Sequence, residues 1–146
     1  MVIVTKVIEW DMGHRVPNHK NKCRNLHGHR YRLEVSVQGD LCAEAGSSNE
    51  GMVFDFGDLK ELLRQCISEQ LDHVCMYYAE DSLLREFFAA HPEQLVAIAV
   101  PFIPTAENIV RWCYEQLKAV LPPHLKITRC ILYETPNSWA EYTEQT

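Results

Sequence analysis

The sequence predicts an α+β domain with two amphipathic helices on one face of an antiparallel sheet. Two stretches of alternating polarity, at residues 2–10 and 31–37, are typical of half-buried strands. Two longer stretches, near 57–71 and after residue 105, carry apolar residues at helical spacing. The chain has 146 residues, 47% of them apolar and 23% charged, so we expect a single domain over residues 1–146.

The segment between the second predicted strand and the first predicted helix is expected to be a loop. Residues 43–51 are small and polar and are typical of a long hairpin loop. Residues 52–56 either extend the sheet or lead into the helix near 57–71. Asp55 stands where a helix N-cap is expected, because its side chain can accept hydrogen bonds from the first helical N–H groups.

The second half is expected to hold two helices and a last strand. Residues 82–91 predict a short helix that a His-Pro pair ends, and the apolar run 95–102 leaves its type open. Thr105 is expected to cap the second long helix, which a Pro-Pro pair ends. Lys126 to Glu134 predicts a final strand.

Composition narrows the class of protein. The net charge is -6 and basic residues form no run, which disfavours a nucleic-acid or membrane partner. No apolar run approaches the roughly 20 residues of a spanning helix. The start of the chain lacks the pattern of a signal peptide, so a soluble cytoplasmic protein is expected.

The six cysteines are expected to be free thiols, because they form no CxxC pair and no export signal precedes them. Cys66, Cys113 and Cys130 fall on apolar periodic positions and predict small buried side chains. Cys42 and Cys75 remain ambiguous.

A His-x-His pair opens the second strand. Side chains at i and i+2 of a strand lie on the same face, roughly 6–7 Å apart, so His27 and His29 can reach one ion. A zinc ion with an open position needs a third nitrogen. His14, after the first strand, is the best candidate, and His19 in the following polar loop competes with it. The alternative is that these histidines are ordinary surface or core residues.

Cys23 lies just before this pair in a loop with three cations, Lys20, Lys22 and Arg24. Neighbouring cations favour the thiolate form of a cysteine, although a loop cysteine without a role is equally consistent with the local sequence. A cysteine acting as base or nucleophile needs an oriented partner. Asp72 beside His73 is the natural candidate, because an aspartate can fix the tautomer of a histidine.

Two carboxylates are further candidates. Glu134 ends the last strand on its apolar face, where it is either solvated or holds the N–H groups of a ligand. Glu107 lies in the first turn of the second long helix and is well explained by the helix dipole.

The order of these motifs resembles the 6-pyruvoyltetrahydropterin synthase superfamily over nearly the whole chain. The matching segments are Cys23-x-x-x-His27-Gly-His29 with His14 upstream, Gly51–Phe56, Leu71-Asp-His73, Pro104–Asn108 and Tyr133-Glu-Thr135. The three-residue gap between Cys23 and His27 is similar to that of the bacterial 6-carboxytetrahydropterin synthases of queuosine biosynthesis. The pyruvoyl branch usually has a longer gap.

The resemblance implies the tunnelling fold, in which each subunit supplies a four-stranded antiparallel sheet with two helices on one face. Subunits of that family form a trimeric barrel, often stacked as a hexamer, with active sites at the interfaces. By the same resemblance, zinc would be bound by His14, His27 and His29.

The resemblance also implies roles for the other candidates. Cys23 would be the thiolate that removes a proton, with Asp72 and His73 as its relay partner. Glu134 would anchor the pterin ring. Thr105 and Glu107 would support the substrate or the neighbouring subunit.

The implied activity is the zinc-dependent conversion of 7,8-dihydroneopterin triphosphate to 6-carboxy-5,6,7,8-tetrahydropterin, with loss of acetaldehyde and triphosphate. The alternatives are a pyruvoyl-type or related pterin side-chain lyase and a non-catalytic zinc-binding assembly protein. The chain departs from the family pattern at Val74–Tyr78 and in its longer link to Pro104, so we expect differences near His73 and leave the role of Cys75 open.

Overall fold

The computed structural model of the chain describes residues 1–144, which form a mixed sheet of six strands covered by helices. The strands are β1 (Val2–His14), β2 (His27–Gly39), β3 (Val74–Tyr78), β4 (Ala97–Val100), β5 (Lys126–Thr135) and β6 (Ser138–Tyr142). The α-helices are α1 (Phe56–Leu63), α2 (Glu69–Leu71), α3 (Ser82–Ala90) and α4 (Ala106–Val120). A π-helical turn, Arg64–Ser68, joins α1 to α2, and a 3₁₀ turn spans Lys22–Arg24.

The sheet has the strand order β4-β3-β1-β2-β5-β6. Four of the strands, β1, β2, β5 and β6, pair antiparallel, in agreement with the antiparallel sheet that the sequence predicts. The other two, β3 and β4, extend the sheet with parallel pairing beside β1, which the sequence analysis did not foresee. Their brevity explains the omission, because five and four residues are too few to show a period.

The first two strands are longer than predicted and pair along their entire length. The register runs from Val2 opposite Gly39 to His14 opposite His27. The sequence predicted the first strand only as far as Trp10. In the structure, Met12 and His14 continue the buried face of the strand, and Asp11, between Trp10 and Met12, is exposed.

The helices confirm most of the sequence predictions. Asp55 caps α1 by accepting hydrogen bonds from the N–H groups of Gly57 and Asp58 at 2.7 and 3.1 Å. Thr105 caps α4 through the Asn108 N–H at 3.3 Å. The loop 43–51 is not a hairpin connection, because the chain passes from β2 to α1 through it.

The core lies between the inward face of the sheet and the buried stripes of α1, the π-helical turn, α2 and α4. Leu59, Leu63, Ile67 and Leu71 come from the first helical stretch, and Ile109, Cys113 and Leu117 come from α4. Trp10 and Tyr31 stack with ring centroids 5.8 Å apart and close the core at the end of the sheet that carries the histidines. The three histidines of β1 and β2 therefore lie directly above the hydrophobic core.

Across residues 1–144, every helix is too short or too polar to cross a membrane.

Candidate metal centre and active site

The paired ends of β1 and β2 bring three histidines together. His14 faces His27 directly across the strand pair, and Met12 faces His29, so all three imidazoles project from the same face of the sheet. Ring centroids are 4.6 Å apart for His14 and His27, 5.1 Å for His14 and His29, and 5.0 Å for His27 and His29. One ligand nitrogen from each lies within 4.8 Å of the others, a spacing suited to one metal ion.

Gly28 between the two histidines is required by the strand pairing. A Cβ at this position would lie 2.9 Å from the carbonyl oxygen of Met12. A larger residue would push β2 away from β1 and would displace both His27 and His29.

Hydrogen bonds set the tautomers of two of the three histidines. Nδ1 of His14 lies 2.8 Å from the carbonyl oxygen of Pro104, and Nδ1 of His27 lies 2.7 Å from that of Asn25. A carbonyl oxygen only accepts, so each Nδ1 carries the proton and donates it, which leaves the lone pair on Nε2. Backbone bonds of this kind orient histidines that bind metals.

Two ring nitrogens of the three-histidine group are available to a ligand. Within residues 1–144, Nε2 of His14 and Nε2 of His29 are both buried and form no hydrogen bond. Burial is costly for a polar atom without a partner. Burial lowers the pKa of His14 to about 4, and lowers that of His29, so these rings are neutral near pH 7 as metal ligands must be.

Cys23 lies beside this centre. The half-buried cysteine is in the 3₁₀ turn Lys22–Arg24 and lines a cavity of about 260 Å³ together with His14, Glu134 and His19. Burial keeps several of the remaining thiols protonated. Burial raises the pKa of Cys66 and Cys75 to about 11 and that of Cys130 to about 12, so they stay protonated near pH 7.

Glu134 closes the cavity from β5. Its Oε1 lies 3.4 Å from Nε2 of His29 without the geometry of a hydrogen bond. Glu134 is not part of the three-histidine group, but it lines the same cavity as His14. A carboxylate here can accept N–H groups from a ligand while the histidines hold a metal.

Thr105 and Glu107 line the same cavity. The Thr105 hydroxyl is used as the N-cap of α4, and Glu107 is exposed in the first turn. The Pro104-Thr105 segment also has a second structural role, because the Pro104 carbonyl fixes the tautomer of His14.

Asp72 and His73 lie apart from Cys23. Nδ1 of His73 is 3.0 Å from Oδ1 of Asp72, and the N–H of Asp11 donates to the same oxygen, which lowers the pKa of Asp72. The His73 side chain is 77% exposed and lines a different cavity, of about 960 Å³, which Cys23 does not touch. The expected pairing of Cys23 with His73 is therefore not formed within one chain.

The remaining predicted residues lie outside the three-histidine group. Nδ1 of His19 accepts a hydrogen bond from the Asn21 N–H, and His19 is outside the three-histidine group. Lys20, Lys22 and Arg24 are exposed around the Cys23 turn. Cys75, on β3, lines the cavity of His73.

Several residues that line the site were not predicted from the sequence. Trp139 and Ser138 of β6 line the cavity beside Glu134, and β6 was not predicted. Tyr31 is fully buried next to His14 and His29, with ring centroids at 5.9 and 5.6 Å, and its hydroxyl has no partner within residues 1–144. Tyr31 could have been predicted to lie beside the histidines, because it follows His29 by two residues in an alternating strand and therefore lies on the same face.

Comparisons with known proteins agree with this architecture. A family model described as 6-pyruvoyl tetrahydropterin synthase matches residues 3–145. A 6-carboxy-5,6,7,8-tetrahydropterin synthase of Haemophilus influenzae is 37% identical and covers 99% of this chain and 100% of its own. One from Aquifex aeolicus is 32% identical, covering 97% and 98%.

Solved structures support the fold. An uncharacterized protein of Wolinella succinogenes matches with a TM-score of 0.77 at 24% identity, over 99% of this chain and 100% of the other. The 6-pyruvoyl tetrahydropterin synthase of Caenorhabditis elegans matches with a TM-score of 0.68 at 24% identity, over 99% and 96%.

The buried, neutral His14 predicts acid sensitivity of the metal-free protein. Its folded pKa is below the unfolded value of 6.5, so the unfolded chain binds the proton first and stability falls as the pH drops from about 6.5 towards 4. Between pH 7 and pH 4.5, we expect the free energy of unfolding to fall by about 2–3 kcal/mol more in the parent than in His14→Gln. Urea unfolding with chelator, at matched protein concentration, measures the difference; equal losses in both proteins would contradict it.

Proposed function

The chain belongs to the 6-pyruvoyl tetrahydropterin synthase family, and we propose that it acts as a 6-carboxy-5,6,7,8-tetrahydropterin synthase. The reaction converts 7,8-dihydroneopterin triphosphate and one water into 6-carboxy-5,6,7,8-tetrahydropterin, acetaldehyde and triphosphate. The relatives with this name match over nearly their full length, and the short gap between Cys23 and His27 favours the same branch. The product would serve queuosine biosynthesis.

One observation carries the proposal. His14, the half-buried Cys23 and the carboxylate of Glu134 line a single cavity, and His14 is grouped with His27 and His29 at one side of it. A non-catalytic metal protein needs the histidines alone and gives no reason for Cys23 and Glu134 to face the same space.

The donor set fits zinc. Three histidine nitrogens with an open fourth position are typical of catalytic zinc, and the orphaned Nε2 atoms of His14 and His29 explain why a metal is needed. When bound, zinc would polarise the side-chain oxygens of the substrate and stabilise negative charge on them.

The protein's own residues would position the substrate and move the proton. Glu134 would accept N–H groups of the pterin ring and so place the side chain over the histidines. Cys23, as a thiolate, would take the proton from the side-chain carbon that carries a hydroxyl next to the ring. Loss of triphosphate and cleavage of the side chain then yield acetaldehyde and the carboxylate.

Completion of this site calls for a second subunit. His73 and Asp72 are exposed, hold each other in a fixed orientation, and line a cavity that the Cys23 of their own chain does not reach. We infer that they reach the Cys23 cavity of a neighbouring subunit, in a homo-oligomer built on trimers with hexamers as the stacked form. This arrangement would give Cys23 the oriented partner that its chemistry requires.

The product assay tests the proposed branch. Incubation with 7,8-dihydroneopterin triphosphate should release acetaldehyde and triphosphate in equal amounts. Cys23→Ala should lower kcat about 10²–10⁴-fold, the usual range for loss of a general base, without loss of bound zinc. His124→Ala, which replaces an exposed histidine outside the site, is the matched control and should leave kcat unchanged.

Other outcomes separate the alternatives. Triphosphate release without acetaldehyde would indicate the pyruvoyl-type lyase. No turnover, together with zinc binding that Cys23→Ala leaves intact, would indicate a metal-binding assembly protein.

Subunit mixing tests the shared site. Cys23→Ala and His73→Ala should each be inactive as homo-oligomers. Co-expression of the two should restore about one quarter of the parent activity, because random assembly leaves one site in four with both intact partners.

The double variant Cys23→Ala/His73→Ala, co-expressed with Cys23→Ala, supplies the control, since no site in that mixture has an intact cysteine. Recovery in the control, or none in the complementary mixture, would refute a site shared between subunits.

A further inference from the structure

A partly buried ion pair lies next to the three-histidine group. Arg15 follows His14, and its Nε and Nη2 donate to Oδ2 and Oδ1 of Asp81 at 2.6 and 2.9 Å. The Asp81 side chain is 3% exposed and that of Arg15 is 19% exposed. The two-pronged geometry fixes the guanidinium plane as well as the charge.

The remaining nitrogen of the Arg15 guanidinium contacts the turn that carries Cys23. Its Nη1 donates to the carbonyl oxygen of Arg24 at 3.2 Å. The next residue, Val16, donates its N–H to the carbonyl oxygen of Cys23 itself at 2.8 Å. Two consecutive residues after a metal ligand therefore hold two consecutive carbonyls of the cysteine turn.

Hydrogen bonds to the backbone also fix the position of Asp81. Its N–H donates to the Tyr78 carbonyl at 2.8 Å, and its Oδ1 also accepts the N–H of Leu84 as the N-cap of α3. Asp81 lies between β3 and α3, directly after the segment that departs from the family pattern. That segment thus has a direct connection to the Cys23 turn through Arg15.

We propose that Arg15 and Asp81 are positioning residues that hold Cys23 at a fixed place relative to the three histidines. Asp81 orients the guanidinium, and the guanidinium holds the turn by the Arg24 carbonyl. The proposal rests on the proposed function only in taking Cys23 as the reacting thiol. A general base must be placed within hydrogen-bond reach of the proton it removes, so a turn that moves by about 1 Å lowers the rate of proton transfer.

The substitution Arg15→Lys separates this role from a general contribution to stability. Lysine keeps a positive charge beside Asp81. Its single ammonium group cannot donate two parallel hydrogen bonds to the Asp81 carboxylate and a third to the Arg24 carbonyl, as the planar guanidinium does. The chain offers a matched control in Arg64, whose Nε and Nη2 contact Glu61 in the same two-pronged manner on the exposed surface.

The experiment compares Arg15→Lys with the parent and with Arg64→Lys, all in the zinc-loaded form. Iodoacetamide alkylation of Cys23, followed by peptide mass spectrometry to resolve it from the other thiols, should be at least about threefold faster in Arg15→Lys because the turn is released. Steady-state kinetics should show kcat lowered about 10–100-fold with KM changed less than about threefold. Arg64→Lys should match the parent in both measurements.

Asp81→Asn provides a second variant, because asparagine keeps the shape and loses the charge that orients Arg15. It should accelerate alkylation and lower kcat in the same direction. Alkylation of Cys23 that is unchanged or slower in every variant that folds would overturn the positioning role. If the parent shows no synthase activity, the proposed function fails, while faster alkylation in Arg15→Lys would still support the clamp on the turn.

Discussion

The antiparallel pairing of β1 with β2 is the constraint on which the rest of the structure depends. Its register sets His14 opposite His27 and places His29 opposite Met12, two pairs further along the strands, so the three-histidine group is a property of the strand pair. The same register buries Trp10 against Tyr31. Because side chains alternate along a strand, a slip of one residue would turn His14 to the solvent face. The grouping of the three histidines therefore depends on this register.

Among the described residues, the site contains buried polar atoms without hydrogen-bond partners, which lower the stability of a folded protein. Within residues 1–144, two imidazole nitrogens and the Tyr31 hydroxyl are buried without partners, and each such atom is destabilising in the absence of a ligand. A metal ion would satisfy the nitrogens. Around this fixed centre the thiol, the carboxylate and the ion pair of Arg15 with Asp81 lie on separate elements, so each position is set by tertiary packing.

The sequence predicted the parts of the fold and site that depend on local order. The His-x-His spacing, the caps Asp55 and Thr105 and the two buried helical stripes follow from neighbouring residues alone. β3 and β4 did not, because short parallel strands show no period, and β6 follows a tight turn after β5. Motif order suggested that Cys23 and His73 act together, but only the structure shows that one chain keeps them apart. The contact of Arg15 with Asp81 spans 66 residues and has no local signal.

We propose that three histidines bind the metal while Cys23 remains outside its coordination sphere. X-ray absorption at the zinc edge of the loaded protein tests this directly. The expected spectrum shows three nitrogens and one oxygen at about 2.0–2.1 Å, with no sulfur. A Zn–S distance of about 2.3 Å would make Cys23 a ligand and would contradict its assignment as the base.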